Sequence, residues 1–136
     1  MMQDLPQALA RKIYREEYLE EPGFDKLVGI SGSVAFEVFD TGVNCGVGTA
    51  STFLQRSLNA LNLQGTLYPD LKVDGQVGAK TRAALSAYLA HRGRQGELVL
   101  LRLLNCLQGA YYLNLVERRE KDESFIFGWI LHRVVM

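Results

Sequence analysis

Hydrophobic side chains recur at helical spacing from the start of the chain. Asp4-Leu5-Pro6 is typical of a helix start, because Asp can cap backbone donors and Pro suits the first turn. The apolar stripe that follows consists of Leu9, Ile13, Tyr14 and Tyr18. Pro22-Gly23 ends the pattern, which predicts a leading helix over residues 4–20.

The next segment is apolar on almost every face. It carries too many hydrophobic side chains for a helix that meets the core along one stripe. We therefore predict a buried central helix near residues 33–45, with Phe36 and Phe39 both in the core. Either Ser31 or Ser33 can provide its N-cap.

Glycines and further amphipathic stripes divide the rest of the chain. Gly46 and Gly48 break the central helix, and Thr49 is the predicted cap of the next one. The apolar face of that helix consists of Phe53, Leu54, Leu58 and Leu61. A loop is predicted over residues 62–77. Further helices are predicted at about 78–89 and 96–119, and a last one begins at Asp122 or Ser124 and runs to about Val134. Within the longest of these, Gly109 marks either a kink or a close helix contact.

The period of the pattern defines the fold class. Strand-type alternation is nowhere long enough to build a sheet, so the sequence predicts an all-α protein with five to six helices around the buried central one. The chain of 136 residues suits a single domain over residues 1–136, with its core region over residues 31–134. Apolar residues make up 48% and charged residues 22%, as in ordinary globular proteins.

The net charge of the chain limits the kinds of binding partner to be expected. The 15 basic and 15 acidic side chains give a formal net charge of zero, so no long-range field attracts nucleic acid or an anionic membrane. A neutral polysaccharide fits this balance. The amino terminus lacks the cationic start and apolar core of a signal peptide, and no apolar run predicts membrane insertion.

Cysteine and histidine residues are few and scattered. Cys45 and Cys106 lack metal-ligand spacing, and we predict two buried small side chains rather than a disulfide. His91 and His132 are isolated from other potential ligands. The sequence therefore predicts no metal site and no cofactor.

A turn motif in the second half of the chain is predicted to have a structural role. Asp74 and Gly75 predict a tight turn, and Gly78 predicts a close approach to the following helix. Thr81 falls in the first turn of that helix, and Gln55 accompanies the motif upstream. The alternative is that Asp74 or Thr81 contacts a glycan.

Two polar residues interrupt the apolar central helix. Asp40 and Asn44 are four residues apart and so share one helical face. Burying either side chain is unfavourable unless it is hydrogen-bonded. They either form an internal network that holds the helix end at Gly46, or line the floor of a sugar cleft, where an amide can contact acetamido or hydroxyl groups.

Aromatic residues near the carboxyl end provide further candidates for sugar binding. Trp129 is the single tryptophan and follows Gly128. An indole face can stack on the apolar side of a pyranose, although the same side chain suits a closing helix that seals the core. Tyr111 is open to the same two interpretations.

Several segments together resemble one family. Residues 39–46, FDTGVNCG, resemble the FD-x-x-VN-x-G segment of glycoside hydrolase family 108. Leu54-Gln55 with residues 74–81 resembles the LQ … DG-x-x-G-x-x-T arrangement of its peptidoglycan-binding part. The likeness continues through residues 10–18 and 125–134. These proteins are lysozyme-like muramidases of bacteria and phages, some labelled secretion activators.

The resemblance implies a compact lysozyme-like bundle with peptidoglycan as its partner. The candidate ligand-binding residues are Asn44, Asp40, Tyr111 and Trp129. It also implies that the Glu-Gly-Gly-Tyr motif, which carries the proposed catalytic acid, lies before residue 1. The acidic run over residues 16–23 is not that motif, because its spacing to Asp40 is too short.

The leading hypothesis is peptidoglycan recognition without a catalytic residue in this chain. A second hypothesis is a complete muramidase that uses Glu37 or Asp40 as a local acid, because a glycosidase needs a carboxyl with a raised pKa. A third is a non-catalytic interaction module that forms homo-oligomers.

Overall fold

The regular structure is entirely helical over the residues that the structure describes. The computed structural model describes residues 15–118 and 123–133. Its α-helices are α1 (Gly32–Cys45), α2 (Val47–Ala60), α3 (Ala79–Arg118) and α4 (Glu123–Arg133). They are preceded by a π-helical turn, Arg15–Glu20, and a 3-10 turn, Phe24–Leu27. The all-α class is confirmed. Most of the predicted leading helix, residues 4–14, lies outside the described residues.

Helix α1 is the central element, as predicted. It packs against α2, α3 and both short turns. Ser31 is its N-cap, since the hydroxyl oxygen accepts a hydrogen bond from Val34 N at 3.1 Å. The same hydroxyl donates to a carboxylate oxygen of Glu97 at 2.7 Å, which ties the start of α1 to α3.

The burial of α1 is one-sided, contrary to expectation. Its buried residues are Val34, Ala35, Val38, Thr41, Gly42 and Cys45. Phe36 is 68% exposed and Phe39 is only half-buried, so the prediction that both lie in the core is wrong. Two steps along a helix rotate a side chain by about 200°, which carries Phe36 away from the face that Val34 and Val38 define.

Gly46 connects α1 to α2 without a loop. Its φ of 101° lies in the region that favours glycine. Its amide donates to Gly42 O at 2.9 Å, and its carbonyl accepts from Ala50 N at 3.0 Å. Because α2 already begins at Val47, Thr49 lies inside its first turn, and the prediction that Thr49 caps this helix is wrong.

Two asparagines hold the irregular segment that follows α2. Asn62 is fully buried, and its Oδ1 accepts from Tyr68 N at 3.0 Å. Its Nδ2 donates to Tyr68 O at 2.7 Å and to Asp70 Oδ1 at 2.9 Å. Asn59 does the same for Leu71, accepting from its amide at 2.7 Å and donating to its carbonyl at 2.9 Å. The predicted loop is therefore an ordered one.

Helix α3 combines the two predicted helices at about 78–89 and 96–119. It is interrupted at Gly93, whose φ of 65° and ψ of −147° are not helical. The buried Tyr88 hydroxyl donates to Gly96 O at 2.7 Å and so ties the two parts together. Of the two alternatives for Gly109, the kink is wrong, because the break occurs at Gly93 instead. The close helix contact at Gly109 stays a prediction.

The two cysteines differ in burial. They form no disulfide, and Cys45 is buried whereas Cys106 is exposed. The predicted burial therefore holds for Cys45 and is wrong for Cys106. One residue rotates a helical side chain by about 100°, which takes Cys106 from the buried side that Leu104 and Asn105 occupy toward solvent.

The side-chain amide of Gln55 joins α2 to the turn before α3. Gln55 is 1% exposed. Its Nε2 faces three acceptors, Asp74 Oδ1 at 3.0 Å, Gln76 O at 2.8 Å and Thr81 Oγ1 at 3.2 Å. Its Oε1 accepts from Gly75 N at 3.1 Å. An NH₂ group has two hydrogens for these three acceptors, so the contacts share donors.

The turn itself is shaped by Asp74 and Gly75. Asp74 Oδ1 accepts from Gln76 N at 3.0 Å, and Gly75 has a φ of 78°. The hydrogen bond from Gln55 is the largest cause of the lowered pKa of Asp74. Gly78 makes no close approach, because a Cβ built there meets nothing within 4 Å. The reason that the sequence suggested for Gly78 is therefore wrong.

Replacing Gln55 with Leu should destabilise the protein by about 2–3 kcal/mol, because it removes the hydrogen bonds that join α2 to the turn and takes this partner from the buried Thr81 hydroxyl. Urea denaturation measures the loss. Gln95→Leu, at an exposed position of α3, is the matched control and should change stability by less than about 0.5 kcal/mol. Equal effects of the two substitutions would contradict the role assigned to Gln55.

Candidate functional site

A groove of about 460 Å³ runs between α1 and the second part of α3. The α1 wall consists of Gly32, Ser33, Phe36 and Glu37. The α3 wall consists of Leu98, Leu101, Arg102 and Asn105. The hydrogen bond between Ser31 and Glu97 joins the two walls beside the groove.

The groove mixes apolar and polar surface. Phe36 exposes most of its ring there, and Leu98 is also largely exposed. Arg102 and Glu37 bring a cation and a carboxyl to the same space. An aromatic face beside a few polar groups suits a sugar ring, which has one apolar face and a polar rim.

Glu37 is the most perturbed carboxyl in this groove. Its Oε1 is buried and has no hydrogen-bond partner in the described part of the chain. Burial raises the pKa of Glu37 to about 7, and the nearby negative charge of Asp40 contributes in the same direction. Near neutral pH the carboxyl is therefore protonated in a large fraction of molecules, and in that form it is a hydrogen-bond donor.

The predicted pair Asp40 and Asn44 lies on the same side of α1 as Glu37. The spacings of three and four residues place all three on one helical face. Asn44 Nδ2 donates to the main-chain oxygen of Asp40 at 2.9 Å, and both side chains are half-buried. This bond stays within α1 and does not reach Gly46. The three residues form a polar stripe that leads away from the groove along α1.

Tyr111 and Trp129 belong to a row of aromatic rings contributed by α2, α3 and α4. The Tyr111 ring meets Phe53 edge-on at 6.4 Å and Tyr112 at 6.1 Å between ring centroids. Trp129 lies 5.2 Å from Tyr112 and stacks on Phe125 at 6.0 Å. Because the ring contacts of Trp129 are made within the protein, they favour the packing interpretation. The four predicted ligand residues thus fall into two groups, one on α1 and one in this row.

Sequence reasoning missed most of the groove. Phe36 was assigned to the core, and Glu37 was considered only as a possible acid. Its spacing to Asp40 and Asn44 was the available signal that the three share a face. Arg102 and Asn105 carried no signal, because only the packing of α3 on α1 brings them opposite Glu37.

The described residues provide neither a metal-binding cluster nor a membrane-spanning helix. Among residues 15–118 and 123–133, no group of three His, Cys, Asp or Glu side chains is placed to hold a metal ion. None of the described helices combines the length and apolar character needed to cross a membrane.

The all-α fold places a groove of mixed apolar and polar surface between α1 and α3. Two family models match the chain. The model described as Predicted Peptidoglycan domain matches residues 49–134, and the model described as Glycosyl hydrolase 108 matches residues 1–46. Because the first covers more than half of the chain, the protein belongs to this peptidoglycan domain family, joined to a glycosyl hydrolase 108 segment. Comparison with curated proteins gives no match.

The two matched segments meet at the groove. Phe36 and Glu37 lie in the segment matched by Glycosyl hydrolase 108, and Arg102 and Asn105 lie in the peptidoglycan domain. The groove therefore exists only when both segments are folded together.

The raised pKa of Glu37 predicts a pH-dependent stability. The pKa is 4.5 for an unperturbed Glu and about 7 in the folded protein, so the folded state binds the proton more tightly. The resulting stabilisation is complete below pH 4.5 and is lost as the pH rises through about 7. Partial exposure of the carboxyl limits the change to about 1–2 kcal/mol.

Urea denaturation between pH 4 and 8 measures this change. Glu37→Gln should flatten the pH dependence, whereas Glu117→Gln, at an exposed position of α3, should leave it unaltered. A slope that persists unchanged in Glu37→Gln would contradict the assignment.

Proposed function

We propose that the groove between α1 and α3 binds the glycan strand of peptidoglycan. The membership of the peptidoglycan domain family supports peptidoglycan as the partner. The observation that carries the proposal is the buried, partnerless Oε1 of Glu37 beside the exposed ring of Phe36. An unpaired buried polar atom is destabilising, so a ligand group that hydrogen-bonds to this oxygen would remove that penalty on binding.

The proposed contacts follow from the chemistry of an N-acetylated sugar. The pyranose stacks on Phe36, and its acetamido carbonyl accepts a hydrogen bond from the protonated Glu37. Arg102 contacts hydroxyl or carbonyl oxygens from the opposite wall. Asp40 and Asn44 extend this surface along α1 toward the next sugar.

We assign Tyr111 and Trp129 a packing role that holds the helices together, and we place the main sugar-stacking surface at Phe36. Their ring contacts connect α2, α3 and α4, and α3 carries one wall of the groove. A sugar contact at these rings remains a secondary proposal, tested by the same binding measurements.

Binding of chitotetraose, measured by calorimetry at pH 6, tests the groove. Phe36→Ala should weaken binding about tenfold, which corresponds to about 1.4 kcal/mol, while the unfolding midpoint stays the same. Phe127→Ala is the matched control, since Phe127 is 76% exposed but lies on α4. Glu37→Gln retains a donor and should bind with little pH dependence, whereas the parent protein should lose affinity above pH 7.

Sedimentation with insoluble peptidoglycan tests the partner itself. The parent chain should co-sediment. If it does not, the interaction-module alternative is the better one, and the exposed apolar residues of α4 would be the first surface to examine. If it does, but Phe36→Ala and Phe127→Ala behave alike with chitotetraose, the groove is not the glycan site.

Hydrolysis by Glu37 is the second candidate function. A carboxyl with a pKa of about 7 is suited to act as a general acid. A glycosidase also needs a second carboxylate or a positioned water across the scissile bond. Asp40 lies on the same wall as Glu37, and the facing wall presents Arg102 and Asn105. This geometry supports recognition better than hydrolysis.

Clearing of a purified cell-wall suspension distinguishes the two candidates. We expect the parent chain to show little or no lysis, because the wall that faces Glu37 presents Arg102 and Asn105 rather than the second carboxylate that a glycosidase uses. Robust lysis that disappears in Glu37→Gln while chitotetraose binding persists would establish the hydrolytic role instead.

A further inference from the structure

A second cavity, of about 490 Å³, lies between the segment after α2 and the first part of α3. It is remote in sequence from Phe36 and Glu37 and lies wholly within the peptidoglycan domain match. Its loop side consists of Leu67, Tyr68, Pro69, Asp70 and Leu71. Its helix side consists of Lys80, Ala83, Ala84 and Ala87.

The loop side is held in place before any ligand arrives. Asn62 binds both the amide and the carbonyl of Tyr68, and Asn59 binds both groups of Leu71. The Tyr68 hydroxyl donates to Leu58 O. A cavity with a wall fixed in this way needs little ordering when a ligand binds, which favours affinity.

The surface chemistry of the cavity does not suit a sugar ring. Tyr68 is its one aromatic side chain, and its ring is 7% exposed, so no open face is presented for stacking. The alanine side chains offer methyl-sized contacts instead. Asp70 and Lys80 bring a carboxylate and an ammonium group, of opposite charge, to this cavity. One carboxylate oxygen of Asp70, Oδ1, accepts a hydrogen bond from Asn62 Nδ2 at 2.9 Å, which holds the group in place at the rim.

We infer that this cavity binds the peptide stem of peptidoglycan, a short chain of small residues that carries free carboxylates and a free amine. Lys80 would bind a carboxylate of the stem, and Asp70 would bind the amine of its diamino acid. The methyl groups of alanine residues in the stem would pack against Ala83 and Ala87. The inference rests on the proposed function, since both take peptidoglycan as the partner.

The two sites would then bind chemically different parts of peptidoglycan. The groove at Phe36 takes the neutral glycan, and the cavity at Lys80 takes the charged peptide. Binding at the cavity should therefore weaken as salt screens the charges, whereas chitotetraose binding should change little.

NMR and calorimetric titration of the full chain with the tetrapeptide L-Ala-γ-D-Glu-meso-diaminopimelate-D-Ala tests the inference. We expect amide shifts concentrated at residues 67–71 and 80–87. Lys80→Glu should weaken binding at least tenfold. Lys26→Glu makes the same charge change at an exposed lysine outside the cavity and should bind like the parent. Ala83→Leu, at an exposed position, should block the cavity without loss of stability.

The outcomes separate the two proposals. Chitotetraose binding without tetrapeptide binding would overturn the peptide site alone. Equal weakening by Lys80→Glu and Lys26→Glu would also overturn it, since the effect would then reflect net charge. Tetrapeptide binding at the cavity without chitotetraose binding would support the peptide site and overturn the glycan groove. Failure of peptidoglycan and both probes to bind would overturn both proposals.

Discussion

The buried amide of Gln55 is the interaction on which the arrangement of the helices depends most. It connects α2 to the turn at Asp74 and Gly75 and to Thr81 in the first turn of α3. These hydrogen bonds fix the start of α3, and the rest of the helix extends from that point. Tyr88 bonds to Gly96 across the break at Gly93, and beyond that point α3 supplies one wall of the groove. The Gln55 contact and the Ser31–Glu97 hydrogen bond beside the groove therefore act together in setting where that wall stands.

The groove illustrates how burial raises the pKa of a carboxyl group and changes the hydrogen bonds that it can form. α1 presents Glu37 at the margin between its buried face and its exposed face, where one oxygen is removed from water without gaining a partner. The same desolvation that raises its pKa makes it both a donor and an acceptor near neutral pH. Phe36, one residue earlier, is fully directed to the exposed side. An apolar platform and a protonated carboxyl are thus adjacent because the helix turns by about 100° per residue.

The segment after α2 is organised by asparagines rather than by apolar packing alone. Asn59 and Asn62 satisfy the backbone of a segment that has no helix or strand to pair with. This fixes Tyr68 and Leu71 in the core and leaves Asp70 at the rim of the cavity beside α3. The glycan and peptide surfaces proposed here are therefore built by different means, one by helix packing and one by side-chain hydrogen bonds.

The sequence by itself determined the helical class and the central position of α1, and it limited the N-cap of α1 to Ser31 or Ser33. These features follow from local periodicity and capping chemistry. It also identified the family through short motifs. It could not place Phe36 outside the core, since hydrophobic density does not reveal how many sides of a helix have a neighbour. It could not select Gly93 over Gly109 as the break, because composition does not report φ. Only the tertiary structure set Arg102 and Asn105 opposite Glu37, and Lys80 opposite Asp70. Such pairings join residues far apart in sequence, and they depend on packing between helices that no local pattern records.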